Sequence, residues 1–503
     1  MGNRDIEVAR AFHEITAHSY TSVRSGGHRL DWDNRPVPYK IYPDAGALNL
    51  PRDLTLPAMP TLAALTGEDA ATSGAVDLSA LTRMLFCADG LTRRKRIGGE
   101  DYHFRAAASA GALYPIEIYV AAAEVDGLEP GLYHFSPADL KLRGLRRGDW
   151  REFIARASAP GAPVMEARAV LIMSAIFWRS AWKYRARAYR YCFWDTGTIL
   201  ANLTAAARAE GVAAAITTAF EDARLERLLE ADGAREGIMC MVALGRTAPA
   251  REAAPALEPL GLDTIPLSAR ETVYDELVKL HRASRLEADE LAAIGAAGAG
   301  TAPPGPADES FTPAPLPADH GLGLGDTIVR RGSTRIFARE SIEARELATV
   351  MAVSASAQRV DFPALTDAYL IVNAVEGMPA GAYYYRRQNG AFDLLKRGDF
   401  RAQAGYLCLE QALGADCAAL ICYMTDLERA LAVLGNRGYR DAHLEAGMLA
   451  GRAYLAAYAL EHGASGLTFY DEDTTAFFAP HAAGKSPLLM VAVGVPRTRH
   501  EAE

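Results

Sequence analysis

Arg147-Gly148-Asp149-Trp150-Arg151 and Arg397-Gly398-Asp399-Phe400-Arg401 are two copies of one pattern, and they lie 250 residues apart in the chain (397 minus 147). Other residues match at the same offset without a gap: Gly131 and Tyr133 match Gly381 and Tyr383, Arg187, Tyr189 and Arg190 match Arg437, Tyr439 and Arg440, and Gly197 matches Gly447. Chance composition does not keep arginine, glycine, aspartate and tyrosine in one register over such a span. The sequence therefore predicts two diverged copies of one domain, and the Arg-Gly-Asp triplets favour this repeat over an integrin-binding role.

Each copy carries the same predicted elements in the same order. Short, partly β-branched apolar stretches predict a buried strand in each half, at 169–177 and 418–424. A long helix follows at about 195–211 and 441–463, and a late strand ending in glycine at 238–245 and 488–494. Because helices and strands mix without a regular βαβ alternation, the predicted fold class is α+β rather than doubly wound α/β.

One stretch interrupts this order. Residues 295–325 are rich in Ala, Pro and Gly and have no hydrophobic period, which is typical of a linker. Just before it, Tyr274, Leu277, Val278 and His281 have helical spacing. We therefore predict a first domain at 1–250, a connecting helix and linker at 251–325, and a second domain at 326–503.

The composition limits the classes of function. The 503-residue chain is 50% hydrophobic and 23% charged, which is ordinary for a globular protein with two sizeable cores. Its net charge of −9 argues against a general nucleic-acid or anionic-membrane role. We expect no metal site and no disulfide framework, because the six cysteines are scattered without a zinc or iron–sulfur spacing. The N-terminal segment has no apolar signal core and no apolar run reaches membrane-spanning length, so we predict a cytoplasmic protein.

The two copies differ most in their charged segments. The second half begins with Arg330-Arg331-Gly332-Ser333-Thr334-Arg335-Ile336-Phe337, where the first half has Thr66-Gly67-Glu68-Asp69. Two arginines beside a hydroxyl suit a phosphate, whereas two acids repel one. The second half also ends with additional basic residues, Arg497 and Arg499. A solvated basic surface is the alternative that charge alone leaves open.

The first half has two features that the second half lacks. Residues 109–115, Ser-Ala-Gly-Ala-Leu-Tyr-Pro, form a small-residue turn that lets the backbone approach a flat ligand closely, although an ordinary loop has a similar composition. Lys183-Tyr184 stands where the second half has Val433-Leu434. A desolvated Lys beside a Tyr is suited to proton transfer, while the default role of a single Lys is a surface residue.

These strings resemble the nitroreductase superfamily, and within it the SagB/ThcOx-type dehydrogenases. The resemblance is carried by SAGALYP at 109–115 and WKYRARAYRY at 182–191, followed by DTGTILANLTAAARAEG. FHEITAHS at 12–19 and DNRPVPYKIYP at 33–43 resemble the N-terminal region of that branch, and RRGSTRIF at 330–337 resembles the superfamily's flavin motif. The resemblance implies two tandem nitroreductase-like domains that pair as an intramolecular pseudo-dimer.

In that superfamily each FMN lies at an interface between two domains, one giving the basic segment and the other the small-residue turn. The resemblance therefore implies one composite FMN site in this chain and one degenerate site. The FMN contacts that it implies in the second half are Arg331, Ser333, Arg335, Gly466, Thr468, Arg497 and Arg499. Those that it implies in the first half are Ser109, Ala110, Gly111 and Ala112, with Ala108 where the family has Pro.

The resemblance also implies a reaction. Lys183 is the expected base and Tyr184 its partner in a two-electron dehydrogenation of an azoline-like ring of a small or peptidic substrate, with hydride transfer to FMN and oxygen as the final oxidant. An NAD(P)H-dependent reductase of nitro compounds or quinones is one alternative. A catalytically silent scaffold in a peptide-modifying complex is another. Further homo-oligomerisation is possible on any of these hypotheses.

Overall fold

The computed structural model describes residues 2–67, 75–97, 99–250, 253–291 and 307–497. Below, the first half denotes the described residues up to 250 and the second half those from 307 onward. Across the described residues one hydrophobic core runs without interruption through both halves, from Val8 in the first to Val493 in the second. No helix in these ranges is both long enough and apolar enough to cross a bilayer.

The first half is built on an antiparallel seven-stranded sheet with the strand order β1-β6-β5-β4-β7-β9-β8, and β2 and β3 form a separate hairpin. Its strands are β1 Ala47–Asn49, β2 Leu91–Ile97, β3 Glu100–Arg105, β4 Ile116–Ala122, β5 Gly131–Ser136, β6 Lys141–Arg147, β7 Ala169–Ile176, β8 Ala214–Thr217 and β9 Glu236–Leu244. Its helices are α1 Glu7–Ile15, α2 Tyr20–Ser25, α3 Thr61–Thr66, α4 Leu78–Asp89, α5 Arg151–Arg156, α6 Phe177–Tyr184, α7 Ala188–Ala209 and α8 Asp222–Leu229, and α9 Asp275–Ala283 follows them.

The second half repeats this sheet strand for strand, in the order β10-β15-β14-β12-β16-β18-β17. Its strands are β10 Ser310–Phe311, β11 Ile342–Glu343, β12 Thr366–Val372, β13 Val375–Glu376, β14 Gly381–Arg386, β15 Ala391–Arg397, β16 Ala419–Thr425, β17 Gly463–Leu467 and β18 Ser486–Gly494. Its helices are α10 Leu324–Arg330, α11 Ala344–Ala355, α12 Arg401–Leu407, α13 Ala412–Asp416, α14 Leu427–Leu434, α15 Arg437–Ala459 and α16 Asp471–Phe478. The predicted duplication and the α+β class are therefore confirmed.

The predicted strands 169–177, 418–424, 238–245 and 488–494 are found as β7, β16, β9 and β18, within two residues at each end. The predicted helices are also present, but both begin earlier, α7 at Ala188 and α15 at Arg437. Polar residues in their first turns hid these starts, because Arg190 and Arg440 are buried against the other half rather than exposed to water.

The two long helices α7 and α15 cross with their backbones in contact. A methyl group at Gly197 would overlap the backbone of Gly447 and Met448, and one at Gly447 would lie 2.6 Å from the carbonyl oxygen of Trp194. Glycine is required at both positions because no larger residue permits this approach. The repeat of glycine at an offset of 250 residues is thus explained by the interface between the halves.

Buried ion pairs reinforce the crossing on either side. Arg190 of α7 donates to Asp471 of the second half at 2.8 Å, and Arg440 of α15 donates to Asp222 of the first half, also at 2.8 Å. Burial opposes ionisation of Asp222, but Arg437 and Arg440 outweigh it and hold the pKa of that carboxyl below its usual value. Each Arg-x-Tyr-Arg motif of the repeat therefore binds the opposite half.

Two segments reach across the predicted domain boundaries. The N-terminal arm, residues 2–25, lies on the second half, where Asn3 donates to the carbonyl oxygen of Leu434 at 2.9 Å and Arg10 pairs with Glu428. In the region predicted as linker, β10 pairs with β15 of the second sheet. Residues 251, 252 and 292–306 of that region lie outside the described residues, and the boundaries at 250 and 325 remain predictions.

The helix crossing yields a prediction for stability. Gly197→Ala should lower the free energy of unfolding by about 2 kcal/mol or more, because the added methyl group forces two helix backbones apart. Urea denaturation followed by circular dichroism measures this change. Gly46→Ala is the matched control, since nothing lies within 4 Å of a methyl group there. Equal stability of the two variants would show that the crossing tolerates a side chain.

Candidate active site between the two halves

The small-residue turn of the first half is held from beneath by Asp195 of α7. The Ser109 hydroxyl donates to Asp195 Oδ2 at 2.5 Å, and the Ala110 backbone N–H donates to Asp195 Oδ1 at 3.0 Å. Ser109 Oγ also accepts the backbone N–H of Tyr114 at 2.9 Å, which closes the turn. The hydroxyl of Ser109 is therefore committed to the turn, and what the turn presents outward is its backbone.

Asp195 is buried, and none of the residues that the structure describes supplies it with a cationic partner. Burial raises its pKa to about 7, and the bonds from Ser109 and Ala110 only partly oppose that rise. The turn itself is unusual, with left-handed backbone at Gly111 (φ 66°) and Ala112 (φ 53°). A buried acid that binds one hydroxyl and one N–H gives this strained turn a fixed shape.

Lys183 and Tyr184, at the end of α6, lie directly over the turn. A Cβ atom at Gly111 would be 2.7 Å from the Tyr184 hydroxyl and 3.3 Å from Lys183 Nζ. The absence of a side chain at Gly111 therefore makes room for both groups. Burial, followed by the fields of Arg335 and Arg35, lowers the pKa of Lys183. Burial raises the pKa of Tyr184, which stays a neutral phenol.

Arg331 of the second half is buried against the first half, next to the same turn. Its Nη2 donates to the carbonyl oxygen of Arg105 at 2.7 Å, and its Nε donates to that of Ala106 at 3.1 Å. Burial lowers the pKa of Arg331, and Arg93 contributes in the same direction. Arg331 thus joins the second half's basic segment to the strand that leads into the turn.

Ser333 and Gly466 meet at one tyrosine of α15. The backbone N–H of Gly466 donates to the Tyr454 hydroxyl, and the Ser333 side chain also hydrogen-bonds to it. Burial raises the pKa of Tyr454, and these two bonds oppose that rise. One turn further along α15, the Tyr458 hydroxyl lies 3.3 Å from Thr334 Oγ1. These tyrosines hold residues 333–334 against β17.

Arg335 and Arg497 lie beside each other at the exposed rim. The Arg497 backbone N–H donates to the carbonyl oxygen of Ile336 at 3.0 Å, next to Arg335 in the chain. The field of Arg335 acts on both Lys183 and Tyr184 of the first half. The predicted contact Arg499, and the acids Glu68 and Asp69 predicted to weaken the opposite site, lie outside the described residues.

Thr468 completes the wall that faces Lys183 and Tyr184. Its Oγ1 lies 3.5 Å from the Tyr191 hydroxyl and 3.3 Å from Nδ1 of His18, which belongs to the N-terminal arm. The Tyr191 ring packs edge-on against that of Tyr184, with centroids 4.4 Å apart. The contacts described above thus link the described residues that the sequence predicted for the site across one region between the halves, here called the first cleft.

Sequence reasoning missed several residues of the first cleft. Arg93 of β2 reaches Gly332, where one of its Nη atoms would lie 3.5 Å from a Cβ atom, and its Nε is buried without a hydrogen-bond partner. Arg93 stands in a run of four basic residues that gave no sign which one turns inward. A comparison of the two copies at the offset of 250 could have identified the other missed residues. Asp195 matches another acid, Glu445, and Tyr454 and Tyr458 stand where the first half has Thr204 and Arg208.

The counterpart of this cleft on the other side of the molecule, here called the second cleft, keeps a cavity lined by Thr66, Gly67, Arg208 and residues 356–359, but part of its wall is bonded to protein. There the Ile216 backbone N–H donates to the carbonyl oxygen of Arg359 at 2.9 Å. The carboxylate of Asp361 accepts the N–H groups of Thr218 at 2.9 Å and Ala219 at 3.0 Å. At an offset of 250, Asp361 matches Gly111, and Ile216 and Thr218 match Gly466 and Thr468. Because the Gly466 N–H is also bonded to protein, through Tyr454, the two clefts differ mainly at position 361, where a carboxylate replaces the glycine.

The first cleft fits a flat, anionic cofactor such as FMN. Gly111 and Gly466 present exposed backbone on opposite walls. The buried, unpartnered Nε of Arg93 and the exposed Arg335 and Arg497 supply cationic donors for a phosphate. Asp195 lies beneath the turn with its oxygens engaged and does not oppose an anion at the rim. The arrangement therefore combines cationic groups that could hold a phosphate with a partly desolvated Lys and a Tyr.

Comparisons with known proteins agree with this architecture. The chain is 28% identical over 158 residues to a putative nitroreductase of Methanocaldococcus jannaschii, which is 31% of this chain and 76% of that protein. It is 29% identical over 187 residues to the trifolitoxin-processing protein TfxB of Rhizobium leguminosarum bv. trifolii, which is 34% of this chain but only 48% of TfxB.

The crystal structure of a putative nitroreductase from Anabaena variabilis superimposes with a TM-score of 0.76 and 26% sequence identity, over 97% of this chain and 99% of that one. The sequence profile of the Nitroreductase family matches the chain twice, over residues 72–246 and 328–495. The chain therefore belongs to the Nitroreductase family and carries that family's domain twice in tandem.

Proposed function

We propose that this nitroreductase-like oxidoreductase binds one FMN, in the first cleft, and uses it to dehydrogenate an azoline-like ring of a small or peptidic substrate. The observation that carries the proposal is the convergence at Gly111, where Lys183 and Tyr184 of the first half meet the field of Arg335 from the second. Each half alone supplies only part of this set. The family membership supports the oxidoreductase class, and the likeness to TfxB supports a link to the processing of a natural product.

The residues of the cleft divide into groups that would bind FMN and groups that hold its binding site in shape. Arg335, Arg497 and Arg93 are the cations free to meet the phosphate, and the backbone of residues 110–112 and 466–468 would line the ring. Arg331 and Ser109 act as positioning residues, because their donors are already bonded to the protein. Such preorganisation keeps the cofactor in one orientation without reorganisation at the moment of reaction.

The chemistry divides between cofactor and protein. Bound FMN would supply the acceptor for two electrons and one hydrogen as hydride, with oxygen returning it to the oxidised form. The protein's own task is to accept the proton that the substrate loses. Neutral Lys183 accepts the proton that leaves the substrate ring, and its lowered pKa increases the neutral fraction at physiological pH. Tyr184 stays a neutral hydrogen-bond donor and acceptor beside Lys183, because burial opposes its ionisation.

The hydrogen bonds within the wall of the second cleft support a stoichiometry of one. A flavin there would have to displace Asp361 from the N–H groups of Thr218 and Ala219 and separate Arg359 from Ile216. It would then meet Val433 and Leu434 where the first cleft has Lys183 and Tyr184. Breaking several satisfied buried hydrogen bonds without new partners is costly. We therefore assign the cofactor to the first cleft alone.

Flavin content tests this assignment. The reconstituted protein should contain one FMN per chain, as measured by visible absorption after removal of unbound flavin. Arg335→Gln should weaken FMN binding about tenfold or more, since it removes a charge at the phosphate site. Arg359→Gln is the matched control, because Arg359 lies at the second cleft and its loss should leave the Kd unchanged. Two FMN per chain, or equal losses in both variants, would contradict the assignment.

Proton transfer is tested at Lys183. Lys183→Gln should retain FMN and lower the rate of oxidation of a thiazoline-containing model peptide by about 100-fold or more. The wild-type rate should rise with pH through a pKa below 10.5, because only neutral Lys183 accepts a proton, and this limb should vanish in the variant. Lys279→Gln, which changes an exposed lysine of α9, is the control.

The reductase alternative gives a different outcome in the same experiment. Rapid loss of flavin colour on stopped-flow mixing with NADPH, together with no oxidation of the thiazoline peptide, would replace the dehydrogenase by an NADPH-dependent reductase. Unchanged turnover of the peptide by Lys183→Gln would remove Lys183 from the reaction while leaving the cofactor assignment intact.

A further inference from the structure

Arg35 is held at the mouth of the first cleft by aromatic rings. It follows the short 3-10 helix Trp32–Asn34, and its guanidinium lies 5.9 Å from the centroid of the Trp32 ring and 5.1 Å from that of Tyr102 in the β2–β3 hairpin. Pro36 follows it, and the backbone of Arg35 is extended (φ −62°, ψ 126°), as the residue before a proline prefers. The side chain is therefore confined without the help of a carboxylate.

The same rings connect Arg35 to the helix that carries Lys183. Trp32 packs edge-on against Trp182 of α6, with ring centroids 5.2 Å apart. The indole N–H of Trp182 donates to the carbonyl oxygen of Asp31 at 2.9 Å. Trp32 is itself 61% exposed, although it is a large apolar side chain. The segment 31–35 is thus fixed on α6, and Arg35 comes close enough for its charge to act on Lys183.

Three basic side chains, Arg35, Arg335 and Lys183, converge here, and the described residues place no carboxylate in an ion pair with them. The charges of Arg35 and Arg335 both act on Lys183. The neighbouring acid Asp31 is engaged elsewhere, at 3.0 Å from Arg270. On the proposed function, the phosphate of FMN compensates Arg335. Arg35 would not contact that phosphate. Its guanidinium is held by the Trp32 and Tyr102 rings, and its hydrogen-bond donors are available to another ligand.

We propose that Arg35 binds a carboxylate of the substrate, so that the first cleft selects organic acids whose reacting ring lies beside Lys183. Arginine suits this role better than lysine, because its planar guanidinium stacks on aromatic rings while it donates two parallel hydrogen bonds to a carboxylate. The carboxylate is that of a small acid or of an acidic residue in a peptide. This inference rests on the proposed function for the position of the reacting ring.

Binding of an acid at Arg35 would also serve proton transfer. The positive field of Arg35 disfavours a proton on Lys183 in the free protein. A substrate carboxylate cancels part of that field, so the proton affinity of Lys183 rises when the substrate is in place. The field of Arg35 therefore increases the neutral fraction of the base before binding, and the bound acid makes the base stronger.

A pair of ligands that differ in one charge tests the inference. 4-Nitrobenzoate and 4-nitrobenzamide have nearly the same size, and their binding is followed through the absorption of the bound flavin. In the protein without flavin, quenching of tryptophan fluorescence gives the same comparison, since Trp32 and Trp182 lie beside Arg35. Wild-type protein should bind the acid at least about tenfold more tightly than the amide in both forms.

Substitutions at Arg35 then test whether this side chain causes the preference for the acid over the amide. Arg35→Gln should abolish the preference with unchanged flavin content, and Arg35→Lys should keep part of it. Arg52→Gln, which removes an exposed arginine that donates to the carbonyl oxygen of Asp139 at 3.1 Å, is the control and should keep all of it. A short peptide with an aspartate, compared with its asparagine form, shows whether the cleft also accepts a peptide acid.

Three outcomes would overturn the inference: no preference in the wild-type protein, equal preference in Arg35→Gln and Arg52→Gln, or loss of FMN from Arg35→Gln, which would make Arg35 a cofactor residue. Failure of the wild-type protein to bind any flavin would instead contradict the proposed function. The acid preference of the flavin-free protein, measured by tryptophan fluorescence, would then still decide the role of Arg35.

Discussion

The contact between α7 and α15 is the constraint on which the rest of the structure depends. Gly197 and Gly447 bring two helix backbones together at the centre of the molecule, and buried arginines on either side pair with acids of the opposite half. Removing one partner of such a pair leaves a buried charge without compensation, which is strongly destabilising. The two halves therefore depend on each other for these buried contacts, and any cleft between them is built from both.

This shared centre allows the two clefts to differ. The crossing and its ion pairs keep their approximate two-fold symmetry, because both halves need them for folding. The clefts lie farther out, where a change in one does not disturb the other. In the second cleft Asp361 has taken the backbone N–H groups that its counterpart leaves available, while the first cleft keeps the glycine. The two clefts can thus diverge while the fold that they share stays the same.

The repeat in the sequence predicted most of the fold, since Arg, Gly and Tyr recur at an offset of 250 only where both copies have the same structural task. The same comparison identified the turn, Lys183 and the basic segment. It could not show that the side chains of Ser109 and Arg331 donate their hydrogen bonds to other protein groups, because a sequence does not tell which partner a polar group binds. Comparison of the two copies did not single out Arg93 or Arg35, because their positions depend on a hairpin and a loop that pack from far along the chain.

The two halves are also coupled through the chemistry of Lys183. Its position over the turn is set by α6 of the first half, but part of the field that lowers its pKa comes from Arg335 of the second. On α6 alone, exposed to water, this side chain would be an ordinary lysine, protonated at neutral pH and unable to accept a proton. In the fused chain, burial and the charges of Arg335 and Arg35 together lower the pKa of Lys183. Burial is the main cause of the lowered pKa of Lys183, and the interface between the halves adds to it through Arg335. The helix crossing that holds this interface therefore contributes to the electrostatics of the site.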